Sequence, residues 1–205
     1  MKVSVSILKE KDSFKDVIKK IDNTSANYIH LDIMDGSFTN ESSFSLSDFK
    51  NIRSNKKYDI HIMSTNLDKI IKEAIKLNPE FITFHYEATN SIIKYINLIK
   101  ENNIKVGLAI NPDTNITKIK EYLTNIDLVL VMSVIPGRSG QKFMMSTIDK
   151  LKELKKLNKG ALISVDGGIN NETYNFVKDY VDIVVSGSYI TDSTDYESLI
   201  NTLKE

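Results

Sequence analysis

Cysteine is absent from this 205-residue chain. Disulfides, thiolate nucleophiles, Cys-based metal sites and acid–base chemistry by paired thiols are thereby excluded. Excess charge of one sign is lacking as well, because 27 Lys+Arg balance 27 Asp+Glu. With no basic block, a dedicated nucleic-acid binder is not expected, while a local phosphate site stays compatible. No run approaches about 18 consecutive apolar residues, so no membrane span is expected. The opening MKVSVSILKEKDSF lacks the long apolar core of a secretory signal, and the expected location is the cytoplasm. No Pro/Gly/Ser-rich linker, low-complexity tract or composition shift divides the chain, so residues 1–205 are expected to form one domain.

The composition, 41% hydrophobic and 26% charged, is that of an ordinary globular protein able to bury a core. Short β-branched runs alternate with longer amphipathic stretches. The expected strands are Lys2–Leu8, Tyr28–Ile33, Tyr58–Met63, Phe81–Phe84, Lys105–Ile110, Leu128–Met132, Ala161–Val165 and Ile183–Ser186. Between and after them, helices are expected over Ser13–Asp22, Leu46–Arg53, Asn66–Leu77, Ser91–Asn102, Ile116–Leu123, Ser146–Leu157, Asn171–Tyr180 and Tyr196–Leu203. Regular βα alternation predicts a parallel sheet, and eight units predict closure as an α/β (β/α)8 TIM barrel with short loops. An open doubly wound sheet is the structural alternative.

In such a barrel, chemistry gathers at the C-terminal ends of the strands. Those ends read His30-Leu-Asp32-Ile-Met34-Asp35-Gly36, His61-Ile-Met63, His85-Tyr-Glu87, Met132-Ser133, Asp166-Gly167-Gly168 and Ser186-Gly187-Ser188. His30 and Asp32 are two apart on a strand and face one side. A charged Asp in a barrel interior is costly unless paired or coordinated. His61 ends the next strand and Asp166 the seventh. Two imidazoles and two carboxylates suit one divalent ion, Zn2+ or Fe2+ first, with Mn2+ and Co2+ as further fits. The plainer reading is a buried His–Asp pair that only satisfies itself. All three His of the chain fall at expected strand ends, which favours the site.

A phosphate cradle is read in three loops: Pro136-Gly137-Arg138-Ser139-Gly140-Gln141 after strand six, Gly167-Gly168 after strand seven and Gly187-Ser188 after strand eight. Glycine lets backbone N–H groups approach an anion closely. Met34, Met63 and Met132 lie beside the polar cluster, where they pack the barrel top and keep bulk water from a reactive intermediate. Asp35-Gly36 reads as a turn, and His85 and Glu87 as groups that order neighbouring loops.

Four runs resemble ribulose-phosphate 3-epimerases: HLDIMDGSF at 30–38, DIHIM at 59–63, VMSVIPGRSGQKF at 131–143 and SVDGGIN with VSGSYI across 164–190. The resemblance spans nearly the whole chain in order. It implies interconversion of D-ribulose 5-phosphate and D-xylulose 5-phosphate, a step of the pentose phosphate pathway. It implies His30, Asp32, His61 and Asp166 as metal ligands and Asp32 and Asp166 as the two acid/base residues. Ser6, Met34, Met63 and Met132 match positions that surround the substrate, and Gly137 to Gly140 with Gly168, Gly187 and Ser188 match the phosphate region. A homo-oligomer, dimer or hexamer, is implied in the same way.

The sequence departs from the family at its rim. Thr39-Asn40-Glu41 stands where Val-Pro-Asn is usual, Lys9-Glu10-Lys11 is an added charged stretch, and Gly137-Arg138-Ser139-Gly140 replaces Gly-Phe-Gly-Gly. Arg138 either adds charge near the phosphate or points to solvent. On physical grounds, inverting C3 of a ketose phosphate needs a base on one face, an acid on the other and a metal to stabilise the enediolate charge. The nearest alternatives are a 3-epimerase of a related sugar such as allulose 6-phosphate and a phosphate-binding barrel without catalysis. A lyase of the same barrel group would carry Asp-x-Lys-x-x-Asp, and Asp32-Ile33-Met34-Asp35 has no Lys.

Overall fold

The alternation of apolar faces along the strands sets the architecture. A computed structural model describes residues 1–10, 12–157 and 159–205. Lys11, in the charged stretch of the first loop, lies outside the described residues. The strands are β1 (Lys2–Ser6), β2 (Tyr28–Met34), β3 (Lys57–Met63), β4 (Phe81–His85), β5 (Lys105–Ile110), β6 (Leu128–Met132), β7 (Leu162–Asp166) and β8 (Ile183–Ser186). They pair in parallel in chain order, and β8 returns to β1 to close the barrel. β1 ends at Ser6, two residues short of the expected Leu8. β2, β4 and β7 each run one residue further at the C-terminal end, to Met34, His85 and Asp166, so the polar strand ends are held in the sheet.

Successive side chains point to opposite faces of a strand. One face carries Tyr28, Phe81, Leu128, Leu130, Met132, Ile183 and Val185, which pack together inside the barrel. The other carries residues such as Ile29, Leu31, Ile60, Ile82, Leu108 and Val131, which join Ile18, Ile71, Ile96 and Leu151 of the helices in the larger core. Both faces of each strand are therefore covered, as a parallel sheet requires.

The helices are α1 (Phe14–Asp22), α2 (Leu67–Ile75), α3 (Ile92–Lys100), α4 (Thr147–Leu157), α5 (Asn171–Val177), α6 (Ser188–Thr191) and α7 (Tyr196–Thr202). In α2, Leu67, Ile70, Ile71 and Ala74 form the buried stripe. Two expected helices are instead 3-10 segments, Leu46–Phe49 and Ile116–Tyr122. The reason lies in their burial. Each buries a pair three apart, Leu46 with Phe49 and Ile116 with Ile119; in the second segment Leu123, at its C-terminal end, is buried as well. A spacing of three matches the tighter helix. The short α6 is unexpected, because its Ser-Tyr-Ile-Thr stretch carries no helical stripe. Among the described residues, no helix is long and apolar enough to cross a membrane.

Small residues on β5 make room for the polar strand ends. Ala109 pairs with His85 across the sheet, and Gly107 with Thr83. A Cβ on Gly107 would lie 2.2 Å from Thr83 Oγ1 and 2.9 Å from Thr83 Cβ. Rotation of Thr83 would relieve the first clash and leave the second. Gly107→Ala is expected to destabilise the barrel by about 1–3 kcal/mol through overpacking. Urea unfolding measures this, and an unchanged midpoint would mean that the layer has slack.

Candidate active site

β2 and β3 run side by side with His30 opposite Asp59 and Asp32 opposite His61. The pleat turns all of these side chains inward. β7 brings Asp166 to the same level. One ligand atom from each of His30, Asp32, His61 and Asp166 lies within 4.8 Å of the others. His61 Nδ1 is 3.1 Å from Asp32 Oδ1 and 3.8 Å from Asp166 Oδ2. His30 Nε2 is 3.4 Å from Asp32 Oδ1 and 3.8 Å from Asp166 Oδ2. The two His are fully buried beneath the carboxylates.

Neighbouring groups orient each member. Ser6 Oγ donates to Asp32 Oδ2 at 2.8 Å. His30 Nδ1 is 2.8 Å from Asp59 Oδ2, which also accepts from Ser4 Oγ at 2.8 Å. Asp59 is the site residue that the sequence reading passed over. Asp59, His61 and Met63 alternate on one face of β3, but a mid-strand carboxylate points to the site only once its partners on β1 and β2 are known.

Electrostatics separates the two carboxylates. Burial pushes Asp166 up, the adjacent Asp32 charge pushes it further, and its pKa reaches about 7. Burial acts on Asp32 in the same direction, but the neighbouring imidazoles, His30 first and then His61, outweigh it and hold Asp32 well below the usual carboxylate range. His30 is raised despite its burial, because Asp32 and Asp59 flank it. Burial lowers His61 and brings His85 down to about 4.

The donor set fits a divalent metal. His30 Nε2 is buried, has no hydrogen-bond partner and faces two carboxylates. A buried nitrogen without a partner is costly, and a cation among these four groups would satisfy it. Two nitrogens with two oxygens match Zn2+ and the neighbouring first-row ions.

Above the cluster opens a cleft of about 630 Å³. It is lined by Ser6, Asp32, Met63, Met132 and Asp166, and on the far side by Gly137, Ser139, Gly140, Gly167, Gly168, Gly187 and Ser188. Met34 lies apart from these. It lines a separate hollow of about 370 Å³ with Ile33, Asp35, Phe44 and Asn66. Gly168 has φ +65, and a Cβ there would lie 2.6 Å from the backbone N of Phe143, so only glycine lets the sixth and seventh loops approach so closely. Ser133 ties the same two strand ends, its Oγ donating to the carbonyls of Asp166 at 2.7 Å and Gly167 at 2.6 Å. Arg138 turns to the rim, where its Nε donates to Glu41 Oε1 at 2.8 Å.

The folded state holds the Asp166 proton more tightly than the unfolded chain, whose ordinary value is 3.8. Its contribution is therefore favourable below pH 3.8 and is lost as pH rises towards 7. Asp166→Asn removes that penalty. In chelator-treated protein, the stability of the variant relative to wild type is expected to improve between about pH 4 and about pH 8, by roughly 1–3 kcal/mol. Urea unfolding at both pH values checks this, and a difference independent of pH would contradict the raised pKa.

Comparison with known proteins agrees with this geometry. Residues 2–191 match the ribulose-phosphate 3 epimerase family. Ribulose-phosphate 3-epimerase of Helicobacter pylori (strain J99 / ATCC 700824) is 35% identical, over 100% of this chain and 97% of that protein. The enzyme of the same name from Aquifex aeolicus (strain VF5) is 37% identical over 87% and 84% of the two chains. Among solved structures, 3-hexulose-6-phosphate synthase from Salmonella typhimurium superposes with a TM-score of 0.68 at 20% identity, covering 99% of this chain and 96% of that one, which speaks to the barrel alone. The chain belongs to the ribulose-phosphate 3-epimerase family.

Proposed function

We propose that this epimerase interconverts D-ribulose 5-phosphate and D-xylulose 5-phosphate by taking a proton from one face of C3 and returning one to the other, with Asp32 and Asp166 as the two acid/base groups. One observation carries the reading: two carboxylates meet under a substrate-sized cleft with their pKa values driven apart. Asp32 starts ionised and serves as base, steadied by the Ser6 hydroxyl at 2.8 Å. Asp166, which holds its proton up to about pH 7 in the metal-free protein, serves as acid. In the reverse direction the roles exchange.

His30, Asp32, His61 and Asp166 would together hold one divalent ion, Zn2+ or Fe2+ ahead of Mn2+ or Co2+. When bound, it supplies Lewis acidity that makes the C3 proton easier to remove. Gly137, Ser139, Gly140, Gly167, Gly168, Gly187 and Ser188 hold the substrate phosphate through backbone N–H groups, as the loops after strands seven and eight do in many barrels of this kind. Anchoring at that distance fixes C3 between the carboxylates. Met63 and Met132 form the apolar wall that limits water. A cytoplasmic homo-oligomer is the assembly expected from the family.

Turnover of ribulose 5-phosphate in deuterated water is expected to place deuterium at C3 of xylulose 5-phosphate. Asp32→Asn and Asp166→Asn are each expected to lower kcat by at least about 100-fold while leaving the fold intact by circular dichroism. Near-normal turnover in either variant would refute the two-carboxylate scheme. At about pH 8, where Asp166 is already largely ionised, binding of Zn2+ to chelator-treated protein is expected to release a proton from His30, whose pKa is raised. Calorimetry in buffers of different ionisation enthalpy reads that proton, and binding without release would count against His30 as a ligand.

A further inference from the structure

His85 and Glu87 lie behind the site and touch neither the cleft nor the carboxylates, yet they are tightly built in. His85 is fully buried, with the Phe38 ring 4.7 Å from its own and the His61 ring edge to edge at 5.0 Å. Its Nε2 is 2.8 Å from His61 Nε2, and its Nδ1 is 3.2 Å from Glu87 Oε2. The other Glu87 oxygen accepts from the backbone N–H of Asn111 at 2.8 Å and from the Thr114 hydroxyl. Lys150 Nζ holds that loop, donating to the carbonyls of Asn111 at 3.0 Å, Pro112 at 2.6 Å and Thr114 at 2.7 Å.

Two imidazole hydrogens serve three contacts here when both rings are neutral, because Asp32 Oδ1 also lies 3.1 Å from His61 Nδ1. Asp32 has the Ser6 hydroxyl at 2.8 Å and faces His30 Nε2 at 3.4 Å besides, whereas Glu87 Oε2 has His85 alone among the described residues, so Glu87 takes precedence. Glu87 accepts only, so His85 Nδ1 carries the hydrogen between them. His85 Nε2 is then a lone pair, and His61 Nε2 must supply the hydrogen of the 2.8 Å contact. That leaves His61 Nδ1 as a lone pair directed at Asp32 and Asp166. We infer that His85 and Glu87 are positioning residues that set the tautomer and ring orientation of His61, and that Lys150 and Thr114 act through them by fixing the loop that aims Glu87. The inference rests on the reading of His61 as a ligand only for its effect on metal affinity; the tautomer itself does not depend on that reading.

Glu87→Gln tests it with almost no change of shape. The Asn111 N–H and the Thr114 hydroxyl both require an acceptor, so the amide oxygen takes the Oε1 place and the amide NH2 faces His85 Nδ1. Every donor in the relay then reverses, and His61 is left with its hydrogen on Nδ1. Chelator-treated protein labelled with 15N-histidine, at about pH 8 where ordinary imidazole is neutral, reports the position of each hydrogen by two-bond 1H–15N correlation. Wild type is expected to show His61 with its hydrogen on Nε2, and Glu87→Gln with it on Nδ1. Co2+ affinity, measured by competition with a chelator, is expected to fall about 10–100-fold in the variant. His85→Phe, which keeps a ring and removes the acceptor, is expected to give a mixture of both His61 tautomers. An unchanged His61 spectrum in both variants, or Co2+ affinity within about twofold of wild type, would overturn the relay. Wild-type protein that binds no Co2+ would fail the ligand reading instead, and the spectrum would then judge the relay alone.

Discussion

Two carboxylates less than 5 Å apart in a buried setting repel each other by about 3 kcal/mol if both are charged, and that repulsion shapes the centre of this barrel. The protein meets it unevenly. Asp32 sits between His30 and His61 and accepts from Ser6, so it keeps its charge. Asp166 gains less of that support and holds its proton to about pH 7. The asymmetry is what gives a symmetric-looking pair of residues two different tasks.

That arrangement depends on how the barrel is filled. An eight-stranded barrel of this kind closes with its interior packed by side chains, usually large and branched ones. Here the interior at the N-terminal end of the strands is apolar, with Tyr28 and Phe81 edge to face at 5.5 Å. Towards the C-terminal end the inward positions become Ser4, Ser6, His30, Asp32, Asp59, His61, Thr83, His85 and Asp166. Such a polar layer is stable only when its members satisfy one another, and most do. Gly107 and Ala109 contribute by omission, because a larger residue on β5 would occupy the space of Thr83 and His85.

Much of this was legible in the chain. Eight β-branched runs separated by amphipathic stretches specified the barrel, because both signals are periodic and local. The four proposed ligands were legible because ionisable residues at the ends of apolar strands have no packing role. Three things were not legible, each for a physical reason. The 3-10 segments share the i, i+3 spacing of α-helices, so Leu46/Phe49 and Ile116/Ile119 could not be told apart from one turn of α-helix. Asp59 was masked because it sits mid-strand, where an inward carboxylate is unexpected until its partners on β1 and β2 are known. The separation of Met34 from the cleft follows from the end of β2, where the chain turns towards Ser43 through the Asp35–Ser42 bridge. No pattern in sequence reports such a turn.

The departures from the family pattern fall where the fold constrains them least. The floor of the site is fixed by short hydrogen bonds between buried groups on adjacent strands, so a change there would leave an unpaired polar atom costing about 1–3 kcal/mol. The rim is held by contacts such as Arg138 with Glu41, both substantially exposed. An exposed pair of that kind is worth at most about 1 kcal/mol. Thr39 packs against Gly137 across the same opening, so the two departing loops meet each other rather than the proposed ligands. Glu41 and Arg138 therefore read as a matched exchange: a new cation in the sixth loop is neutralised by a new anion in the second. The local charge near the glycine-lined side of the cleft is left close to balanced, and the pair makes no contact with His30, Asp32, His61 or Asp166.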